Sequence, residues 1–408
     1  RLDTLLHAAA RGGRAHCASW LIDTCGVPAD ETDFMGSTPA HAAASSGDLE
    51  TLVAVVDRGA PLNVANGAGW TPLHVAVSQG DLAMFEEMVA RGSLHQRLAA
   101  GFTPLHIAAA GGSSAMVLRL LDMGLALDRR SSQSETALFC AAEGGHAHVV
   151  RALVERGANP HDSRSDGMTP LRAAAAGGHR TCFDALIELG CATDLEGDAG
   201  IHALLDAARG GAAAVFERIL ELAPHARGAS PIMRSVCFAA LAGHVAVVEL
   251  ALSRGAAEGL DNNEHVLAEQ AVISAFEGGN LAIVDALLRA GCDLNSYGPR
   301  VRVSTLHAAV KSASLDVVER LPTALSRDMM NDNQQSPLEL AAQQGKVAIF
   351  GRLWHMAVEF DMVTPKLVEA LFAHAIERRS PDVLCFLLTC DAVPLDAWPS
   401  RATLFKEA

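Results

Sequence analysis

The chain has 408 residues, of which half are apolar but only 4% aromatic, and its 47 acidic and 32 basic residues give a net charge of −15. Proteins that track nucleic-acid phosphates normally carry a clustered basic face, so this balance argues against direct contact with DNA or RNA. No apolar run approaches the length of a membrane span, which excludes a bilayer-crossing segment at the level of the sequence.

A short motif recurs along the chain with glycines at fixed distances behind it. Thr71–His74 reads Thr-Pro-Leu-His and is followed by Gly80 and Gly92; the string returns at Thr103–His106 and, ending in arginine, at Thr169–Arg172. A threonine before proline suits the N-cap and first position of a helix, and a glycine two to three turns later ends it. Each recurrence therefore predicts a turn, two short helices and another turn.

The motif divides the chain into twelve repeats whose threonine-equivalent anchors are 32 to 36 residues apart. The anchors of repeats one to twelve are Thr4, Thr38, Thr71, Thr103, Thr136, Thr169, His202, Arg234, Gln270, Ser304, Ser336 and Ala370. The signature is best kept in repeats two to six and decays from repeat seven. In repeat ten, Pro322 falls in the expected second helix, which it should end or kink.

A period near 33 with this content resembles the ankyrin-repeat family, and the resemblance covers essentially the whole chain. It implies an all-α solenoid of about twelve helix-turn-helix repeats, curved with a concave groove. We expect repeats one to eight in residues 1–258, with the best preserved part in 34–195, and an inserted loop in 259–265. Degenerate repeats nine to twelve should follow in 266–391, and 392–408 should form a C-terminal tail or a partial repeat.

Histidine and cysteine are frequent enough to raise the question of metal binding. The nine cysteines form no Cys-x-x-Cys pair, which favours reduced core thiols of an intracellular, cytoplasmic protein over disulfides or a zinc site. The start at Arg1 leaves organellar targeting open. Five of the seventeen histidines take the fourth motif position, where the resemblance implies a hydrogen bond that ties adjacent repeats. These are His7, His41, His74, His106 and His307. We therefore expect neither a metal nor a cofactor.

No motif for catalysis is visible. The sequence contains no nucleophile motif, no glycine-rich phosphate loop and no His-Glu-x-x-His pair. Its paired glycines recur where helices are expected to end. These observations favour a protein that is not an enzyme.

The resemblance places turn tips and first helices on the concave groove, where partners usually bind. The candidate protein-binding residues are Trp70, Phe102, Glu135, Met168 and Ile201, each just before an anchor, with Ser78 and Gln79 on a first helix. Large apolar residues on a polar rim are typical interface anchors. The alternative, that these side chains pack on a neighbouring repeat, is equally open for Trp70 and Phe102. A shallow, neutral floor would suit an extended peptide or a helix.

Three functions remain open at this stage. The first is a non-enzymatic scaffold that binds one or more proteins, as a subunit of a larger assembly. The second is a substrate-recruiting adaptor or a secreted effector, which rests on analogy alone. The third is the ankyrin portion of a larger enzyme or channel.

Overall fold

The structure, a computed structural model, describes residues 4–93, 101–256, 265–290, 305–312, 315–319, 335–359 and 363–390. All regular elements within these ranges are helices. Pro322, the tail 392–408 and all but the last residue of the predicted loop 259–265 lie outside the described residues. The chain divides into two compact parts, called here the N-terminal half (Arg1–Ala207) and the C-terminal half (Ala208–Ala408).

Helices follow one another in pairs along the N-terminal half. They are α1 (Leu5–Arg11), α2 (Ala15–Asp23), α3 (Pro39–Ser46), α4 (Leu49–Val56), α5 (Pro72–Gln79), α6 (Leu82–Ala90), α7 (Pro104–Ala110), α8 (Ser114–Asp122), α9 (Ala137–Glu143), α10 (Ala147–Glu155), α11 (Pro170–Ala176) and α12 (Arg180–Glu188). A 3-10 helix, Cys191–Leu195, follows α12, and α13 (Asp198–Arg209) begins in this half.

The described parts of the C-terminal half are also helical. The helices are α14 (Ala213–Leu222), α15 (Ala229–Ala242), α16 (Val245–Ala251), α17 (His265–Gly278), α18 (Leu281–Arg289), α19 (Thr305–Ser312), α20 (Leu315–Glu319), α21 (Pro337–Gln343), α22 (Val347–Glu359), α23 (Pro365–Glu377) and α24 (Pro381–Thr389). Within the described ranges, every helix is too short or too polar to traverse a lipid bilayer.

The motif residues begin and end the first helices of repeats two to six as the sequence predicts. Thr71, with φ −98° and ψ 165°, is the extended N-cap of α5, and Pro72 is its first residue. Gly80 ends the helix at φ +71°, a left-handed conformation that only glycine adopts without strain. These first helices are short because a threonine starts each of them and a glycine ends it two turns later.

Alanines let the first helices pack closely side by side. In the N-terminal half α1 packs on α3, α3 on α5, α5 on α7, α7 on α9 and α9 on α11. Ala43, Ala76 and Ala108 are fully buried in this layer. The second helices supply the larger core side chains, among them Leu52 and Phe85. A core that is poor in aromatic residues is thus compatible with complete burial, because the helix backbones approach one another.

The first helices lengthen where the motif is lost. Helices α13, α15, α17 and α23 have 12 to 14 residues, against seven or eight in repeats one to six. The anchors His202, Arg234, Gln270 and Ala370 lie inside these helices instead of capping them. None of these four anchors is a threonine or serine that could cap a helix start with its hydroxyl, so nothing stops the helix from starting earlier. In these four repeats the anchor residues therefore do not mark where the first helix starts.

Candidate functional site

Side chains close the turns that precede the first helices of repeats two and three. In the turn of repeat two, Asp33 Oδ1 accepts hydrogen bonds from the backbone N–H groups of Met35 and Ser37, both at 2.8 Å. In the turn of repeat three, Asn66 Oδ1 accepts the N–H groups of Ala68 and Trp70, both at 3.0 Å. Aspartate and asparagine commonly stabilise turns in this way. The turns thus have a defined shape in the absence of a partner.

We call these turns tips, and the tips of repeats two, three, five and six (residues 33–37, 66–70, 131–135 and 164–168) the tip row. Neighbouring tips are hydrogen-bonded to each other. Gly67 N–H donates to Met35 O at 2.7 Å, and Ser165 N–H donates to Gln133 O at 2.9 Å. A Cβ atom on Gly67 would lie 2.9 Å from Met35 O, so this close approach requires glycine. Adjacent tips therefore present a joint, pre-organised surface.

Motif histidines tie the tips of repeats two, three and five to the preceding repeat, which confirms the role expected of these residues. His41 Nδ1 accepts the Thr38 N–H at 3.0 Å, and its Nε2 donates to Trp70 O at 2.8 Å. The Nε2 atoms of two other motif histidines bond to the next tip in the same way. His7 Nε2 lies 2.8 Å from Ser37 O, and His106 Nε2 lies 3.0 Å from Glu135 O. Burial lowers the pKa of His41, although its bond to the Trp70 carbonyl works in the opposite direction. A neutral ring suits the acceptor role of Nδ1.

The packing contacts of Trp70 and Phe102 are with a histidine of their own repeat, which is neither of the two roles that the sequence left open. Both are half-buried. The Trp70 ring meets the His74 ring edge-on with centroids 6.3 Å apart, and the Phe102 ring meets His106 at 5.5 Å. Each aromatic ring thus packs on the motif histidine of its own repeat while part of it stays accessible to solvent. Their contact with a partner stays a prediction.

Glu135 and Met168 belong to a polar network in the tips of repeats five and six. Glu135 is only 8% exposed and accepts the Ser131 hydroxyl at 2.7 Å, with the Arg164 guanidinium 3.8 Å away. Arg164 also pairs with Asp166 at 2.6 Å, and its hydrogen bond lowers the pKa of Asp166 to about 2. Met168 is half-buried beside this pair. Glu135 therefore holds the tip together and offers little surface of its own.

The remaining predicted site residues lie on first helices. Ile201 is half-buried inside α13, so it does not occupy a turn before the helix as the sequence frame suggested. The half-buried Ser78 donates its hydroxyl to Val75 O at 2.8 Å. The exposed Gln79 donates through Nε2 to Ser45 O at 3.1 Å and so bridges two repeats.

The most exposed apolar residues of the tips were missed by the sequence analysis. Phe34 and Met35, at the tip of repeat two, are 71% and 54% exposed, and Val64, just before the next tip, is 38% exposed. Within the turns, the predicted site residues were those just before each anchor, which in this repeat is Ser37. The available signal was an adjacent apolar pair between Asp33 and Gly36, in a turn where polar residues are usual.

The second helices carry charges that are largely paired with one another. Ion pairs join successive second helices of the N-terminal half: Arg58 with Asp23, Arg91 with Asp57, Arg119 with Glu86, Arg156 with Asp122 and Arg151 with Glu188. Exposed pairs of this kind contribute little to stability. The pairing does, however, balance much of the charge on the surface of the second helices. The tip row differs from that surface by its exposed apolar side chains.

Comparison with known proteins agrees with the helical pairs described above. Family models described as ankyrin repeats match residues 40–86, 73–164 and 105–197. No curated protein matches the chain. Among solved structures, the crystal structure of the human ASB11 ankyrin repeat domain is similar, with 27% sequence identity and a TM-score of 0.42. That similarity covers 46% of this chain and 84% of the human domain.

Proposed function

We propose that this chain, whose residues 40–197 match models of ankyrin repeats, is a non-enzymatic scaffold that binds a protein partner along its tip row, since such repeats generally mediate protein–protein contacts. It would act as a subunit of a larger assembly. The cysteines of the described residues form no disulfide, which supports a reducing, intracellular and cytoplasmic setting.

The exposed pair Phe34 and Met35 is the observation that carries this proposal. Both side chains are more than half exposed although each is large and apolar. Their backbone is fixed by Asp33 and by the hydrogen bond from Gly67, so little ordering is needed when a partner binds. Rigid apolar anchors surrounded by polar groups are typical of the centres of protein interfaces.

The other candidate residues would form the edge of the same interface. Trp70, Phe102 and Met168 present partly accessible apolar surface in or beside the tip row. Ser78, Gln79 and Ile201 would form a neutral floor on the first helices. An extended peptide or a helix with apolar side chains would fit such a surface better than a polyanion would. Glu135 would support the interface indirectly, through the shape of its tip.

A photo-crosslinking amino acid at position 35 of the full chain tests the proposal. In an extract of the source cells it should capture a specific protein, which is then identified by mass spectrometry and purified. We expect the Phe34→Ser/Met35→Ser variant to bind that protein at least ~10-fold more weakly than the wild-type chain. Trp20→Ser is the matched control, because Trp20 is 57% exposed but lies on α2, away from the tips.

The outcome depends on the difference between the two variants. Retained affinity in Phe34→Ser/Met35→Ser, or equal loss in the Trp20 control, would contradict binding at the tip row. Circular dichroism spectra of both variants should match that of the wild-type chain, because neither change removes a buried side chain. Replacing Trp70 by alanine would then measure how far the interface extends to repeat three.

A further inference from the structure

Three side chains that can bind metal ions converge where two successive loops of the N-terminal half meet. His161 lies in the loop between α10 and α11, while Cys191 and Asp194 lie in the 3-10 helix that follows α12. One ligand atom from each residue lies within 4.8 Å of the other two. In the described part of the chain this is the only group of three such donors.

The hydrogen bonds of this cluster leave one acceptor unused. His161 Nδ1 lies 2.8 Å from Asp194 Oδ1, whereas Asp194 Oδ2 is buried and has no hydrogen-bond partner. Cys191 is fully buried, and its Sγ lies 3.8 Å from Pro160 O, which makes at most a weak hydrogen bond. A buried carboxylate oxygen without a partner is unfavourable, and a bound cation would remove that cost.

The chemistry of the three donors selects the type of ion. Thiolate, imidazole and carboxylate are the ligands of Zn²⁺, whereas Ca²⁺ and Mg²⁺ prefer oxygen ligands alone. Cys191 is fully buried and the Asp194 side chain is 13% exposed, whereas the His161 side chain is 44% exposed, so a water molecule can supply a fourth ligand. This arrangement also provides a path by which the ion could enter.

We propose that His161, Cys191 and Asp194 form a Zn²⁺ site that clamps the loops of repeats six and seven together. The buried Cys191 thiol is protonated in the metal-free chain, so binding forms a Zn–S bond and releases one proton to water. The imidazole binds in its neutral form, and no residue is oxidised or reduced. The ion replaces the hydrogen bond between His161 and Asp194 with bonds from both side chains to the metal.

The spacing of these residues explains why the sequence did not suggest the site. His161 and Cys191 are 30 residues apart, and no paired ligand motif is present. Cys191 follows a glycine at the end of a second helix, where the earlier repeats have Ala60 and Ala158. The same position therefore accepts alanine elsewhere in the fold, which makes Cys191→Ala a variant that should fold normally.

Metal titration of the purified full chain tests the proposal, with Zn²⁺ followed by calorimetry and Co²⁺ followed by absorption. We expect one equivalent of either ion and a thiolate-to-cobalt charge-transfer band. Cys191→Ala should abolish the band and weaken Zn²⁺ binding at least ~100-fold, and Asp194→Asn should weaken it as well. The matched control is Cys182→Ala, which removes a thiol that is equally buried but outside the cluster; it should bind Zn²⁺ like the wild-type chain.

Thermal unfolding gives a second readout. Zn²⁺ should raise the melting temperature of the wild-type chain and of Cys182→Ala, but leave that of Cys191→Ala unchanged. The absence of a charge-transfer band in the wild-type chain, or its persistence in Cys191→Ala, would overturn the proposal. The contact between His161 and Asp194 would then be a hydrogen bond between loops and nothing more.

Discussion

His41 and Trp70 are joined by a hydrogen bond from the histidine Nε2 to the tryptophan carbonyl oxygen, 2.8 Å long, which links the first helix of repeat two to the tip of repeat three. The other ring nitrogen accepts the Thr38 N–H at the start of the same helix. One imidazole ring thus fixes a helix start, a tip and the junction between two repeats. His41 is only 3% exposed, so a buried residue helps to hold Trp70 in its position on the candidate surface.

Replacing His41 by alanine should therefore destabilise the chain. The change removes three hydrogen bonds of the ring, to the Thr38 N–H, the Thr38 hydroxyl and Trp70 O, so we expect a loss of about 2–4 kcal/mol in the free energy of unfolding. Urea denaturation followed by circular dichroism measures it. His148→Ala is the control, because its Nε2 bond to Gly112 O is exposed, and a change within about 0.5 kcal/mol is expected there. Equal losses in both variants would contradict a specific role of the buried ring.

The stability of the chain should also depend on pH through the buried histidines. Burial lowers the pKa of His41 and of His307 below the usual value of 6.5. Below that pH the unfolded chain binds protons that the folded chain does not, so stability falls as the pH decreases. Above it, both states are neutral at these positions and their contribution is fully present.

Urea denaturation at several values between about pH 8 and pH 5.5 tests this dependence, since most carboxylates stay ionised over that range. We expect a plateau at the upper end and a decline at the lower end. The decline should be smaller in His41→Ala, because that variant has lost one of the responsible groups. A free energy of unfolding that rises as the pH is lowered would contradict the expectation.

Local motifs in the sequence predicted the ends of the first helices and the role of the histidines. Thr71 and Gly80 determine where α5 begins and ends through their own backbone conformations. The role of His41 followed from the family resemblance, and its partners, three residues before it and 29 residues after it, recur at the same spacing around His106. Such features depend on residues that lie a few positions, or about one repeat, apart in the sequence.

Features that depend on burial could not be predicted in this way. Whether Phe34 is exposed depends on how the next loop covers it, and Glu135 turned out to be buried by contacts with Ser131 and Arg164. The early start of α15 has no Thr-Pro signal. The convergence of His161 with Asp194 arises only when two loops stack on each other.

The close packing of α17 on α15 in the C-terminal half makes Gly278 sensitive to substitution. A Cβ atom at this position would lie 2.6 Å from Ala240 O and 3.0 Å from Leu241 O, and these backbone atoms cannot rotate away. We expect Gly278→Ala to cost about 2–4 kcal/mol in the free energy of unfolding.

Gly243→Ala is the matched control for this contact, and urea denaturation compares the two variants. Gly243 has a φ of +81°, but the nearest atom to an added Cβ is a side-chain nitrogen at an ordinary 3.7 Å. Its substitution should cost only the backbone strain of about 1–2 kcal/mol. A smaller loss at Gly278 than at Gly243 would show that the two helices can move apart at little cost.

Thiol reactivity should separate the cysteines into two groups. Burial raises the pKa of Cys140, Cys182 and Cys191 to about 12, and for Cys140 nearby carboxylates add to the effect. The reactive thiolate is then rare near neutral pH, and the sulfur is also shielded from reagents. Cys17, Cys25 and Cys385 are exposed to solvent.

A short pulse of iodoacetamide in the presence of a metal chelator, followed by peptide mass spectrometry, measures both groups in one sample. We expect the three exposed cysteines to be alkylated at least ~100-fold faster than the three buried ones, because burial shields the latter from the reagent and suppresses their thiolate form. In denaturing urea the difference should disappear, which provides the control for intrinsic reactivity. Rapid alkylation of Cys140 or Cys182 in the native chain would mean that the first- and second-helix layers open far more readily than their packing implies.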